Sequence, residues 1–273
     1  MRNMKDSGEL GNLAAAAVKS CLSLAPHGVA LLCATSVVGC LAPTGDKSDG
    51  DLGVTQQAAL TNNALTNNAL TNNALTNNAL TDDALSDPNA REVLKYIASC
   101  ALPATSAIDF TVDGVAYSFP GELGLASSWG QNGGTCNTSC QETVSACVIA
   151  RLDHLGEHVE ISLRGKASGL ATSSSERAAF PVAEGAYYGN IFLATSVMYA
   201  CIAPGRTGLT RVCGPTSVGC AVNVLGPCDQ ICDKADKAVG FFPNCRDAAK
   251  DAYGRFPGGT RGYPSAATVF LAP

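Results

Sequence analysis

Ten cysteines spread from Cys100 to Cys245 constrain what this chain can fold into more than any other feature. They are Cys100, Cys136, Cys140, Cys147, Cys201, Cys213, Cys220, Cys228, Cys232 and Cys245. An even set at irregular, loop-like spacings predicts five disulfide bonds, on condition that the chain folds in an oxidising compartment. Pairing is not fixed by spacing. The competing use, a cysteine-rich metal centre, suffers from a shortage of imidazole ligands, because only His154 and His158 share this region.

The remaining cysteines, Cys21, Cys33 and Cys40, lie in an N-terminal stretch that supplies the missing compartment. Residues 20–39 carry no charged side chain, while Arg2, Lys5 and Lys19 precede them. Pro26 and His27 interrupt the apolar run, so its core is nearer the length of a signal peptide than of a membrane-spanning helix. The run closes on Val37-Val38-Gly39-Cys40, an aliphatic-x-small-Cys tetrapeptide. This segment resembles the signals of bacterial lipoproteins. The resemblance implies cleavage after residue 39, a lipid on the Cys40 thiol and hence a membrane as partner. Leu41 in place of Asp further implies sorting to the outer membrane, facing periplasm or cell surface.

Residues 40–90 read as a tether. From Ala59 the chain repeats Ala-Leu-Thr-Asn-Asn four times, and two diverged copies follow, the last of them Ala84-Leu85-Ser86-Asp87-Pro88. In an α-helix five residues advance about 500°, so successive leucines spiral and never form a stripe. In a strand an odd period sends alternate leucines to opposite faces. A flexible spacer is the reading that remains, with a short ordered coil or a docking stretch as competitors. As a free chain it would reach about 165 Å at most.

Residues 91–273 are expected to form a single disulfide-rich α+β domain. They carry 14 Lys+Arg against 15 Asp+Glu, 14 − 15 = −1, with no run of one sign. Nothing in that balance favours a nucleic acid. Asp87-Pro88 opens a helix that runs to about Cys100 and buries Val93, Leu94, Ile97 and Ala101. Asp113-Gly114 between Ile108–Val112 and Val115–Phe119 predicts a two-residue hairpin. A second helix is expected from Thr138, with Gln141 completing a capping box, to Gly156, and a third from Pro227. Cys136 with Cys140 and Cys228 with Cys232 then suggest two helices stapled face to face. The alternation over His158–Arg164 predicts a strand with one wet face. Gly189–Ala200 and Ser265–Leu271 are further strand candidates.

Chemistry is sparse. His154 and His158, with Asp153, Glu157 and Glu160 nearby, have a spacing that zinc can use, but Gly156 between them argues against one helical face. No nucleophile elbow, phosphate loop or complete calcium loop occurs, so no catalytic residue, metal or cofactor is assigned. A carboxylate pair for glycoside hydrolysis would draw on Glu122, Glu142 and Glu184. For ligand binding the candidates are Trp129, in a Gly-rich loop, and Glu184, Tyr187 and Tyr188, in a second Gly-flanked stretch. Aromatic residues there serve the core equally well. The expected activity is non-enzymatic binding of an envelope glycan or protein, with a carboxylate-based envelope hydrolase as the alternative.

Overall fold

The computed structural model describes residues 54–55, 85, 87–129, 134–153, 159–214 and 220–273. In chain order the elements are β1 (Val54–Thr55), α1 (Pro88–Ala101), β2 (Ala107–Val112), β3 (Val115–Pro120), α2 (Thr138–Ala150), β4 (Ile161–Gly165), α3 (Ser174–Ala179), β5 (Val182–Asn190) and β6 (Val197–Ile202). There follow α4 (Thr210–Cys213), β7 (Asn223–Pro227), α5 (Cys228–Ile231), β8 (Cys245–Arg246), β9 (Gly262–Tyr263) and β10 (Ala267–Leu271). The fold is α+β. Among the described residues no helix is long and apolar enough to cross a membrane.

A six-stranded sheet of order β1-β4-β10-β5-β6-β7 forms the centre, antiparallel except where β6 and β7 run parallel. Strand β5 shows why both of its faces are covered. Side chains alternate along a strand, and here Tyr187 enters the larger core cluster while Ala186 and Tyr188 enter a second one on the other side. Gly185 and Gly189 in this strand are required by close packing. A Cβ on Gly185 would lie 2.3 Å from the Cys201 carbonyl oxygen, and Gly189 has φ +141° against the Val197 carbonyl.

Helix α2 packs on β5 and β10 and is itself covered by α1. Sandwiched in this way it is buried nearly all round, from Val144 through Ala150, and so lacks the one-sided stripe of a surface helix. Its polar side chains find partners inside. The Ser145 hydroxyl accepts from the Ile191 amide, and the Gln141 side chain accepts from Asn190 and donates to the Cys136 carbonyl. Gln141 therefore completes no capping box. Asn137 is the N-cap, its side chain accepting from the Cys140 amide, which contributes about 1 kcal/mol. The helix stops at Ala150 rather than at Gly156, which lies outside the described residues, as does Leu155.

The expected first helix and hairpin form as read. Val93, Leu94, Ile97 and Ala101 of α1 are buried. Asp113 and Gly114 take φ of 51° and 79°, the positive values that a tight hairpin needs, and Val112 pairs with Val115 across the turn. Leu85, from the last repeat copy, is buried in the same core as α1. At the other end of the tether segment, Val54 and Thr55 pair with Ser162 and Ile161 on the edge of β4.

Three expectations change. Strand β4 has no wet face, because Ser162 donates to Glu176 and Arg164 donates to the Phe180 and Val239 carbonyls, so its polar side is buried with internal partners. The Gly189–Ala200 candidate straddles a turn, its residues shared between β5 and β6. The helix after Pro227 is one turn only.

All ten cysteines of the domain are bonded: Cys100–Cys147, Cys136–Cys140, Cys201–Cys228, Cys213–Cys220 and Cys232–Cys245. No pair of helices is stapled face to face through the two Cys-x-x-x-Cys segments. Cys136 and Cys140 close on each other, whereas Cys228 and Cys232 reach β6 and β8. Cys100–Cys147 bolts α1 to α2 over a separation of 47 residues, and Cys136–Cys140 spans 4. Loop-closure entropy gives these about 4 and about 2 kcal/mol. Chemical denaturation should therefore show the C100A/C147A variant losing roughly twice the stability lost by C136A/C140A. Equal losses would mean that the long bond constrains the unfolded chain no more than the short one.

Candidate functional site

Strand β5 starts at the centre of the sheet and carries Glu184 and Tyr187 toward the end of α2, where Arg211 arrives from the single turn α4. The Arg211 guanidinium donates to both Glu184 carboxylate oxygens, at 2.7 Å for the shortest contact, and to the Ala150 and Leu152 carbonyls. The Ala150 carbonyl is among the acceptors that a helix C-terminus leaves without internal partners, and Leu152 follows directly after the C-cap Arg151. The Tyr187 hydroxyl donates to Glu184 at 2.8 Å. Burial opposes the charge on Arg211, but Glu184 and Tyr187 outweigh it and hold its pKa above the ordinary value. Burial, then the Glu184 charge, push the Tyr187 phenol well above its usual range.

The other two candidate carboxylates are also paired with arginines, Glu142 while buried and Glu122 with 38 % of its side chain exposed. Glu122 accepts from Arg151 at 2.9 Å and from the Ser99 hydroxyl at 2.6 Å, joining the turn after β3 to the end of α2. Glu142, on α2, accepts from Arg261 at 2.6 Å. Each of the three carboxylates is thus engaged by an arginine from a different element. A retaining or inverting glycosidase needs two carboxyl groups facing one bond across a substrate cleft. Here each carboxylate ties the protein to itself.

The proposed ligand-binding residues are likewise interior. Trp129 is 1 % exposed and meets Phe192 edge to face at 5.1 Å. Glu184, Tyr187 and Tyr188 belong to strand β5, not to a loop, and are fully buried. Tyr188 donates to the Arg246 carbonyl and packs with Tyr199 and Tyr263. In these positions the four side chains present no face to a ligand. His154, Glu157 and His158 lie outside the described residues, while Asp153 is buried and Glu160 exposed.

An open surface does exist at the β7 edge. A cavity of about 640 Å³ is lined by Ser196, Met198, Tyr199, Val222, Asn223 and Val224, where β6 and β7 begin. Its tyrosine ring lies 5.7 Å from that of Tyr263, tilted at 59°, at the end of the hairpin formed by β8 and β9. The Tyr199 ring and the Asn223 amide, paired across β6 and β7, lie at this edge, while Met198 packs toward the larger core on the other face; ring and amide suit a ligand held by stacking and hydrogen bonds. The sequence reading missed Tyr199 and Asn223 because strands 20 residues apart bring them together. Compared with known proteins, the chain matches no family model, no curated protein and no solved structure.

Two measurements test the buried sites. Glu184→Gln leaves the Arg211 charge buried without its counter-ion and should cost about 3–5 kcal/mol in thermal or chemical unfolding. Glu160→Gln, at an exposed position, serves as a neutral control. If E184Q unfolds like the wild type, Glu184 does not hold the core.

The tyrosines set the alkaline limit. Burial pushes Tyr263 up to about 12, and burial raises Tyr96, Tyr187 and Tyr188 further. A phenol whose folded pKa exceeds its unfolded value of about 10 stabilises the fold below pH 10, and that contribution is lost as pH rises from 10 toward the folded value. Tyrosinate absorbance at these four positions should therefore rise together with loss of the circular dichroism signal above pH 10. Titration of all seven tyrosines near pH 10 with the fold intact would overturn their burial.

Proposed function

We propose that this chain is a lipid-anchored outer-membrane protein whose disulfide-stapled domain binds an envelope component without catalysing its turnover. The observation that carries this reading is the engagement of Glu122, Glu142 and Glu184 by Arg151, Arg261 and Arg211. A carboxylate enzyme draws its acid and base from such residues, and here they serve the fold instead. The five disulfides support the extracytoplasmic half of the reading, since they form and persist in oxidising compartments. Membrane attachment rests on the resemblance of residues 1–42 to a lipoprotein signal, with Cys40 as the acylated residue. The ligand surface in this reading is the β7 edge with Tyr199 and Asn223, facing an envelope glycan or protein.

The test uses membrane-extracted protein. Its intact mass should begin at a lipid-modified Cys40, with ten cysteines alkylated only after reduction. Mixed with isolated envelope polymer, the same preparation should sediment with the polymer and release no new reducing ends. An unlipidated N-terminus removes the anchor from the reading. Release of soluble fragments, abolished by Glu122→Gln in a protein that still folds, establishes the hydrolase in place of the binder.

A further inference from the structure

Residues 247–261 join β8 to β9 as one long hairpin loop, and with Arg246 at its base its composition departs from the rest of the domain. Arg246, Lys250, Arg255 and Arg261 stand with Asp247 and Asp251 in the sequence, 4 − 2 = +2, in a chain of net charge −5, and Arg261 is paired outside the loop with Glu142. The aspartates also shape the loop. The Asp251 carboxylate accepts from the Tyr253 and Arg255 amides, and the Asp247 carboxylate accepts from the Arg261 amide. Gly254 and Gly259, at φ +73° and +84°, supply the left-handed turns. The loop is therefore held in one shape by its own hydrogen bonds, which lowers the ordering cost of binding.

What that shape displays is an alternation of cations and rings. Arg246 and Lys250 lie 4.3 and 5.4 Å from the centre of the Phe256 ring, and Arg255 lies 5.0 Å from that of Tyr253. Tyr253 is 81 % exposed, and the other large apolar side chain in that state among the described residues is the aliphatic Val115. An aromatic ring this exposed forgoes the stabilisation that burial would supply. Arg255 has a carboxylate only at 3.6 Å, with 72 % of its own side chain in solvent, so that pair is weak. Among the described residues Arg246 and Lys250 have no carboxylate partner, and Lys250 donates to the Asp229 and Cys232 carbonyls instead. Positive groups held beside an open ring match a ligand that offers a flat apolar face and a negative charge together.

We propose that this loop recognises an acidic glycan. A sugar ring stacks on Tyr253, and its carboxylate, sulfate or phosphate is held by Arg255, with Arg246 and Lys250 adding attraction along the chain. The proposal rests on the binding function above and names the ligand class.

The test uses the full chain, immobilised, with polygalacturonate as an acidic glycan, dextran as a neutral one and phosphatidylglycerol vesicles as an anionic lipid surface. Polygalacturonate should bind, more weakly as salt rises, and dextran should not. Tyr253→Ala and Arg255→Ala should each weaken binding about 10-fold at unchanged thermal stability, because both side chains are exposed. The proposal is overturned if polygalacturonate does not bind, if both variants bind like the wild type, or if the vesicles bind more tightly than the glycan. Sedimentation with isolated envelope polymer separates the two levels. A chain that sediments with the polymer but ignores polygalacturonate loses the acidic ligand and keeps the binding function, whereas one that does neither loses both.

Discussion

The Arg211 guanidinium stands where helix α2 ends, against strand β5 and inside the core, and it satisfies all three surroundings at once. Its planar fork has donors to spare for the Ala150 and Leu152 carbonyls and for both oxygens of Glu184. A lysine could not reach the same set from one position. Without Arg211, the C-terminus of a helix buried on nearly every side would have carbonyls facing apolar packing, each costing about 1–3 kcal/mol. The placement of α2 against the sheet, and with it the covering helix α1 and the Cys100–Cys147 bond, depends on that one charge being neutralised by Glu184.

The same requirement explains why acidic residues that look catalytic in the sequence are structural in the fold. A central helix that is buried on both sides must bring its polar side chains inside, and each then needs a partner. Glu142 takes Arg261, Arg151 takes Glu122, and Ser145 takes the Ile191 amide. Charged pairs of this kind add little net stability over apolar packing, but they are costly to break from one side. They hold the interior to one arrangement, and the exposed groups stand elsewhere, at the β7 edge and on the loop between β8 and β9.

The sequence was legible where the determinant is local. Asp87-Pro88 starts α1 and Asp113-Gly114 turns the hairpin because a cap and a positive φ depend on two or three neighbouring residues. It was illegible where a second element decides. The alternation of β4 points to a wet face, yet Ser162 and Arg164 are covered because α3 brings Glu176 and the Phe180 carbonyl over them. Cys228 and Cys232 share a helical turn, but the sheet places Cys201 against one and the approach to the hairpin places Cys245 against the other. Tyr187 and Tyr188 lie between glycines that resemble a loop, while those glycines are there to let β6 approach β5. The cations of the β8–β9 loop and its base are 4 to 6 residues apart with aspartates among them, so a running charge balance averages them away.

The two ends of the repeat-bearing segment bear on how the domain is presented. Thr55 is paired at the sheet edge and Leu85 is buried in the core, so the chain meets the domain both before and after the repeats. With Cys40 as the proposed lipid site, residues 41–53 lie in the sequence between it and the first described pairing, at Val54. Thirteen residues extend to about 45 Å at most, against about 165 Å for the whole segment read as a tether. The β1 pairing also occupies the outer edge of β4, which would otherwise offer unpaired backbone groups to another chain. At the opposite edge, β7 is limited by Gly226 at φ +118° and by Pro227, which has no N–H to donate. With one edge covered and the other cut short, lateral pairing of sheets is disfavoured in both directions. Any partner is then left to side-chain contacts, and Tyr253 and Arg255 of the β8–β9 loop are among the most exposed side chains that could offer one.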